Sequence, residues 1–342
     1  MDFSKFTVKN YLFVLTLIFV FIGCRKEGCT DPNALNYDSS AKKGDNSCIY
    51  EEFDKKSLLE NLTNNYINPA IDNYKADIVT LDSLVTVFSQ QPTEQGIIAI
   101  RNSWVHSLLS WQEISFIDFG PSEYILLKKQ TNVYPVDTLL VDENIALGSW
   151  NLDNSQNYDS KGLQAIDYLV NKRGYSDLEL VNYFDTSAHA KTYLKAVTED
   201  LLNNITYVDD QWTSYSDNFI NDFETNSQGS SISILVNALC LHYEFYVRRG
   251  KIGLPLGVFN GFSQQAMPEL VECYHYGESL PFAVRSVQSL KKFINGNNFA
   301  GQDEGLGLDD YMDFVNAQQN SDQLSEVINT QMELIITELN SL

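Results

Sequence analysis

The chain has 342 residues and carries 45 Asp and Glu against 23 Lys and Arg, a formal charge of −22. Such an acidic surface repels phosphate backbones, which argues against nucleic acid as a partner and in favour of cations or basic partners. The length accommodates one large or two ordinary domains.

At the N-terminus, Lys5 and Lys9 precede an uncharged run from Tyr11 to Gly23. At a helical rise this run reaches about 20 Å, short of the ~30 Å hydrocarbon core, so residues 1–23 are expected to be a signal peptide. The run ends in FIGC, which resembles a bacterial lipoprotein signal with Gly23 before Cys24. The resemblance implies cleavage between the two and acylation of Cys24. The expected partner is then a membrane, held through that lipid, and the expected location is the bacterial cell envelope, at the outer membrane. Phe21 stands where Leu is more usual, and a plain secretory signal with Cys24 as a chance neighbour is the alternative.

Residues 24–52 read as a linker loop. Cys29 and Cys48 bracket a stretch full of Asp, Asn, Gly and Ser. Too little apolar surface is present to order it, so a Cys29–Cys48 disulfide is expected as its staple. The stretch resembles a CTDP-A-NY module of secreted proteins of Bacteroidetes-type bacteria. Its oxygens suit calcium, although a plain spacer is the simpler reading. Cys240 and Cys273 either pair or remain two buried thiols.

From Phe53 onward the period is helical. Leu58, Leu62, Tyr66, Ile71, Tyr74, Ile78, Leu81 and Val85 form one stripe, with Pro69 expected to kink or end its first part. A second helix carries Ile97, Ile100, Trp104, Leu108 and Trp111 and stops before Gly120-Pro121. Between Ser122 and Ser160 the turn-forming composition predicts an ordered loop. Further helices are expected at Ser187 to about Tyr207, Ser230 to Arg249, Ala266 to Ile294 and Ser321 to Asn340. No period-2 run is long enough for a sheet. The fold class is therefore all-α, as two successive helical bundles spanning residues 53–207 and 208–342.

The usual catalytic signatures H-E-x-x-H, G-x-S-x-G, a phosphate-binding Gly loop and C-x-x-C do not occur. The histidines His106, His189, His242 and His275 are scattered, whereas hydrolytic zinc generally needs three close protein ligands. Within KGLQAIDYLVNK, Gln164 and Asp167 share a helical face, with Asn171 one turn on. On local evidence that face is either solvated or lines a pocket.

Five segments, IRNSWVHSLLSWQEISFIDFGP, VYPVDTLLVDENI, KGLQAIDYLV, SISILVNALCLHYEFYVRRGKIGLPLGV and FAGQDEGLGLDDYM, occur in the order seen in imelysin-like proteins. The resemblance covers about Leu58 to Leu342. It implies an all-helical fold with two bundle-like halves and an exported or lipid-anchored bacterial protein, in a family often iron-regulated and catalogued among metallopeptidases. The family hallmark G-x-H-x-x-E falls on Gly162, Gln164 and Asp167. His and Glu three apart make a two-ligand metal face. Here Gln164 offers only a neutral amide and Asp167 is one methylene shorter, which puts a transition-metal site and peptidase chemistry in doubt. An oxygen-only site for a harder cation, or a polar pocket for an organic ligand, is the expectation left for this motif. For a cofactor the expectation is at most a divalent cation, with iron, calcium and zinc left open.

Glu113, Asp118 and Asp137 are candidates to complete the pocket, with surface or capping use as the alternative. Arg248, Arg249 and Lys251 form a basic cluster suited to an anion or to helix-end charge compensation. A second H-x-x-E, His275 and Glu278 with Glu272 a turn earlier, is the outlying metal candidate. The functional expectation is an envelope lipoprotein that binds a cation or small ligand for uptake without catalysis. An imelysin-type peptidase and a structural or adhesion lipoprotein are the alternatives.

Overall fold

The apolar stripes dictate the architecture. In the computed structural model, which describes residues 25–223, 227, 229–302 and 305–342, strands among the described residues amount to four two-residue pieces. The rest is helix and loop, so the all-α expectation holds. The expected signal peptide and Cys24 lie outside the described residues. None of the described helices is long and apolar enough to cross a membrane. The chain divides into two compact units, residues 1–53 and 54–342.

The first unit is ordered by local chemistry. Cys29 and Cys48 are joined, as expected, across a separation of 19 residues. Closing a loop of about that size removes roughly 3 kcal/mol of unfolded-state entropy. Strands β1 (Glu27–Gly28) and β2 (Lys43–Gly44) pair in parallel. Between them Asp31 and Asp38 accept the backbone N–H two residues on, at 2.9 Å each, and Asp45 does the same at 3.0 Å just after β2. These side chains build turns.

The second unit opens with α1 (Lys55–Asn61), passes through a π-helical turn (Leu62–Ile67) and enters α2 (Asn68–Gln90). Pro69 explains the change of register. It has no N–H to offer the carbonyl four residues back, and its ring crowds that carbonyl. The freed oxygen of Asn65 accepts instead from the Phe299 N–H at 2.8 Å. The stripe survives the turn: Leu58, Leu62, Tyr66, Ile71, Tyr74, Ile78 and Leu81 are all buried. Helix α3 (Glu94–Ile114), capped by Thr93, packs along α2 with its predicted face inward.

The stretch expected as loop contains short helices: α4 (Pro121–Tyr124), α5 (Leu127–Thr131) and α6 (Thr138–Leu147). Helix α6 has full caps, Asp137 at its start and left-handed Gly148 at its end. Then come α7 (Gly162–Val170), α8 (Asp177–Thr186, with a Ser176/Glu179 capping box) and α9 (Ala188–Asn221). Helix α9 is continuous through residue 208, where the sequence reading divides the bundles.

In the second half, α10 (Ser231–Leu241) runs into a π-helical segment, His242–Gly253. The helix expected from Ala266 begins only at Leu280, as α11 (Leu280–Ile294). Before it, Pro268, a left-handed Cys273 (φ 61°) and Gly277 (φ 89°) keep residues 266–279 irregular. Helices α12 (Leu308–Phe314) and α13 (Leu324–Ser341) follow, joined through the antiparallel pair β3 (Gln318–Gln319) and β4 (Asp322–Gln323). Helix α11 packs on both α13 and α3, and Phe293 meets Tyr66 and Phe116 in an aromatic cluster.

Helix α7 starts at a position only glycine can fill. Gly162 has φ +75°, and a Cβ there would sit 2.3 Å from the Thr131 carbonyl oxygen. Gly162→Ala therefore combines left-handed strain with a backbone collision at the end of α5. We expect a loss of more than about 1 kcal/mol, read as a lower urea midpoint at unchanged slope.

Candidate functional site

Every residue of α7 is buried, so its polar side chains cannot form a solvated face. Gln164 is 2% exposed and Asp167 0%. Trp104 fixes the helix from α3 by donating its indole N–H to the Leu163 carbonyl at 2.8 Å.

Both motif side chains hold a single stretch of backbone. Gln164 Oε1 accepts the Cys273 N–H at 2.9 Å, and its Nε2 donates to Asn132 Oδ1 at 2.8 Å. Asp167 Oδ2 accepts the His275 N–H at 3.1 Å, and its Oδ1 accepts from Asn171 at 3.0 Å. Buried N–H groups need such partners, and Cys273 sits in a backbone region that costs a non-glycine residue on the order of 1–3 kcal/mol. Glu272, 1% exposed, anchors the same stretch: it accepts from Asn132 at 2.6 Å and Gln112 at 3.1 Å, and pairs with the buried Lys251 ammonium.

The fixed stretch walls a cavity of about 200 Å³ whose lining includes Tyr134, Val136, Gln164, Glu269, Tyr274 and His275. Rings of Tyr168 and Tyr274 flank His275 at 5.0 and 5.3 Å. Burial, helped by Arg173 and Lys172, pulls the His275 imidazole down to about 4, so it is neutral at pH 7. Its buried Nδ1 has no hydrogen-bond partner among the described residues. Burial pushes the Asp167 carboxyl up to about 7, against the opposing hydrogen bonds from Asn171 and the backbone at 275 and 276. Burial likewise raises the Cys273 thiol well above its usual range, and it stays protonated.

These residues do not fit a transition metal. The Gln164 amide oxygen and both Asp167 oxygens already accept hydrogen bonds from the protein. Among the described residues, no three His, Cys, Asp or Glu side chains converge as a metal site.

The remaining candidates are dispersed. Glu113 is buried, 3.0 Å from Arg285 and 3.6 Å from Lys292. Asp118 pairs with Lys128 at 3.1 Å, and Lys128 in turn lies 3.4 Å from the buried His242. Asp137 caps α6 through the Leu140 N–H at 3.0 Å, which is the capping alternative. Arg248 pairs with Glu244 one turn away, and the anion that Lys251 meets is the chain's own Glu272. His275 borders the cavity, but Glu278 lines a different groove, with Arg285 and Leu339, so the second H-x-x-E does not converge. Cys240 and Cys273 are unpaired; Cys273 is buried, as one alternative had it, whereas Cys240 is exposed. Sequence reading missed Asn132, Gln112 and Tyr134. The available signal was the lone basic cluster of an acidic chain, whose Lys251 needs a buried anion.

The Asp167 carboxyl makes stability depend on pH. Its folded value, about 7, lies above the ordinary 3.8, so folding favours the protonated form. That stabilisation is complete below about pH 4 and is lost as pH rises through about 7. The wild type should therefore lose stability relative to Asp167→Asn between pH 4 and 8. Urea midpoints across that range measure it, and a constant difference would show that the carboxyl is not raised in the folded protein.

Comparison with known proteins agrees with this fold. The Imelysin family model matches residues 66–342. No curated protein matches the sequence. A solved structure from Parabacteroides distasonis, assigned as an iron-regulated protein A precursor, superposes with a TM-score of 0.66 at 15% identity over 84% of each chain. An imelysin-like protein from Psychrobacter arcticum superposes at 0.61, also with 15% identity and 84% of each chain covered. At that identity the two structures speak for the fold alone, and the family model covers most of the sequence: the chain belongs to the imelysin family.

Proposed function

We propose that this protein is a non-catalytic binding member of its family, anchored in the bacterial cell envelope, at the outer membrane, through a lipid on Cys24, and that it holds a small ligand in the cavity beside Gln164 and His275. The observation that carries this reading is the commitment of the motif side chains. A hydrolytic site needs ligands or a base aimed at a substrate, and here the motif oxygens are turned to the backbone of residues 273–275, whose N–H groups they accept. The same bracing preorganises a cavity wall, which is what binding needs. The cavity, about 200 Å³, is smaller than the ~300–1,000 Å³ of drug-sized sites, so its occupant is a small polar molecule or a hydrated cation rather than haem. Its neutral His275 ring and the phenols of Tyr134 and Tyr274 offer hydrogen bonds to an uncharged or cationic group. The iron-regulated Parabacteroides neighbour makes uptake of iron or another metal, in chelated or hydrated form, the first role to test.

Thermal-shift measurement against divalent cations and small polar metabolites tests the reading. A true ligand at a hundredfold excess over its dissociation constant adds about 2.7 kcal/mol, and Thr138→Trp, which fills the cavity mouth, should abolish that gain. Gln164→His should not create a site that holds stoichiometric iron or zinc beyond what the wild type binds. Stoichiometric metal together with peptide cleavage that Asp167→Ala removes would establish a peptidase instead.

A further inference from the structure

One face of the second unit has a composition unlike the rest of the chain. From Phe245 to Pro268 there is no Asp or Glu, although the whole chain holds 45, and Arg248, Arg249 and Lys251 all fall within that stretch. Lys251 turns inward to Glu272, leaving the two arginines outside. Arg249 lies over the rings of Phe245 and Phe259, at 5.5 and 5.9 Å from their centroids, and Arg248 over Phe259 at 4.9 Å. Among the described residues no carboxylate pairs with Arg249; the Arg248 partner, Glu244, is the nearest acid before the stretch and Glu269 the nearest after it.

Beyond the arginines, residues 254–267 form a closed, ordered loop. The Met267 N–H donates to the Pro255 carbonyl at 2.8 Å, and the Asn260 side-chain amide ties Leu254 to Gln265 at 3.1 and 2.9 Å. What this braced loop presents is apolar: Leu256 and Val258 are exposed, and Phe262 at the tip is wholly exposed. Ordinary monomer surfaces scatter single apolar residues, whereas here apolar side chains cluster on one projecting loop rimmed by cations.

We propose that this loop and its two arginines form a docking face for an anionic phospholipid bilayer, with Phe262, Leu256 and Val258 entering the interfacial region and Arg248 and Arg249 meeting headgroup phosphates. The shape decides between occupants. A convex apolar tip requires a matching pocket in a protein partner, whereas a bilayer deforms around it. The charge agrees: phosphates favour the acid-free stretch, and the remaining negative charge is screened beyond about 8–10 Å at physiological ionic strength. The stacked phenyl rings keep the guanidinium groups beside the apolar tip, the arrangement of interfacial segments. This contact is distinct from the lipid proposed on Cys24, and it does not depend on what the cavity binds.

The test places an environment-sensitive fluorophore on the loop of the full chain, through Phe262→Cys in a Cys24→Ser and Cys240→Ser background. Cys273 is buried and Cys29 and Cys48 are bonded, so the label reports position 262. Vesicles of phosphatidylglycerol and phosphatidylcholine should raise and blue-shift its emission, and pure phosphatidylcholine much less. Arg248→Glu with Arg249→Glu should weaken the response about tenfold or more, as should raising the salt to about 0.5 M. Both arginines are exposed, and circular dichroism with a thermal melt confirms that the variants fold. A label that stays silent on anionic vesicles overturns the proposal. So does a response indifferent to the arginines, or one produced equally by dissolved inorganic phosphate or polyglutamate without vesicles.

Discussion

Gln164 and Asp167 fasten the backbone of residues 273–275 to α7, and the arrangement of the second unit around the cavity follows from that attachment. The segment from Ala266 to Ser279 has apolar residues enough for an α-helix but forms only a 3-10 turn at Pro268–Leu270, because Pro268, Gly277 and the left-handed Cys273 interrupt it. The buried N–H groups of Cys273 and His275 therefore need acceptors from elsewhere, and α7 supplies them. Glutamine is well matched to this position, because its one planar group accepts from Cys273 and donates to Asn132. Asn132 passes the connection on to Glu272 and hence to Lys251. Removing one member of so buried a set leaves others unsatisfied, at about 1–3 kcal/mol for each neutral group and more for the ion pair.

The sequence disclosed what periodicity can encode. Helices α2 and α3, their buried faces and the loop stapled by Cys29 and Cys48 were legible because each depends on residues close in the chain. The helices between 122 and 160 were masked by polar composition, although Asp137 and Gly148 are ordinary start and stop signals around α6. The burial of Gln164 and Asp167 could not be read locally at all. Their partners lie at 132, 273 and 275, and a polar face covered from so far along the chain has the same pattern as one covered by water.

That distinction governs the chemistry. A solvated Gln-x-x-Asp pair would be free to take a cation, and a metal-bound His-x-x-Glu pair would polarise a substrate. Here the pair is buried, its oxygens already accept hydrogen bonds from the protein, and its carboxyl is pushed up to about 7. His275, whose backbone the pair holds, borders the cavity with a neutral ring. The hallmark helix of this chain thus borders a cavity, while its polar side chains are part of the frame.

The basic cluster makes the same point through backbone geometry. Arg248 and Lys251 stand three apart, so an α-helix would place them on one face, where both would meet the same ligand. They lie instead in a π-helical segment, whose i→i+5 register turns successive residues through a smaller angle. Lys251 is carried inward to Glu272, while Arg248 and Arg249 stay outside on the phenylalanine rings. A single run of positive charge therefore acts in two places: it neutralises the buried carboxylate that fixes the cavity wall, and it leaves the acid-free surface loop cationic. Restoring α-helical register at 242–253 would disturb both together, which is why the π turn matters more to this site than any one of the charges it separates.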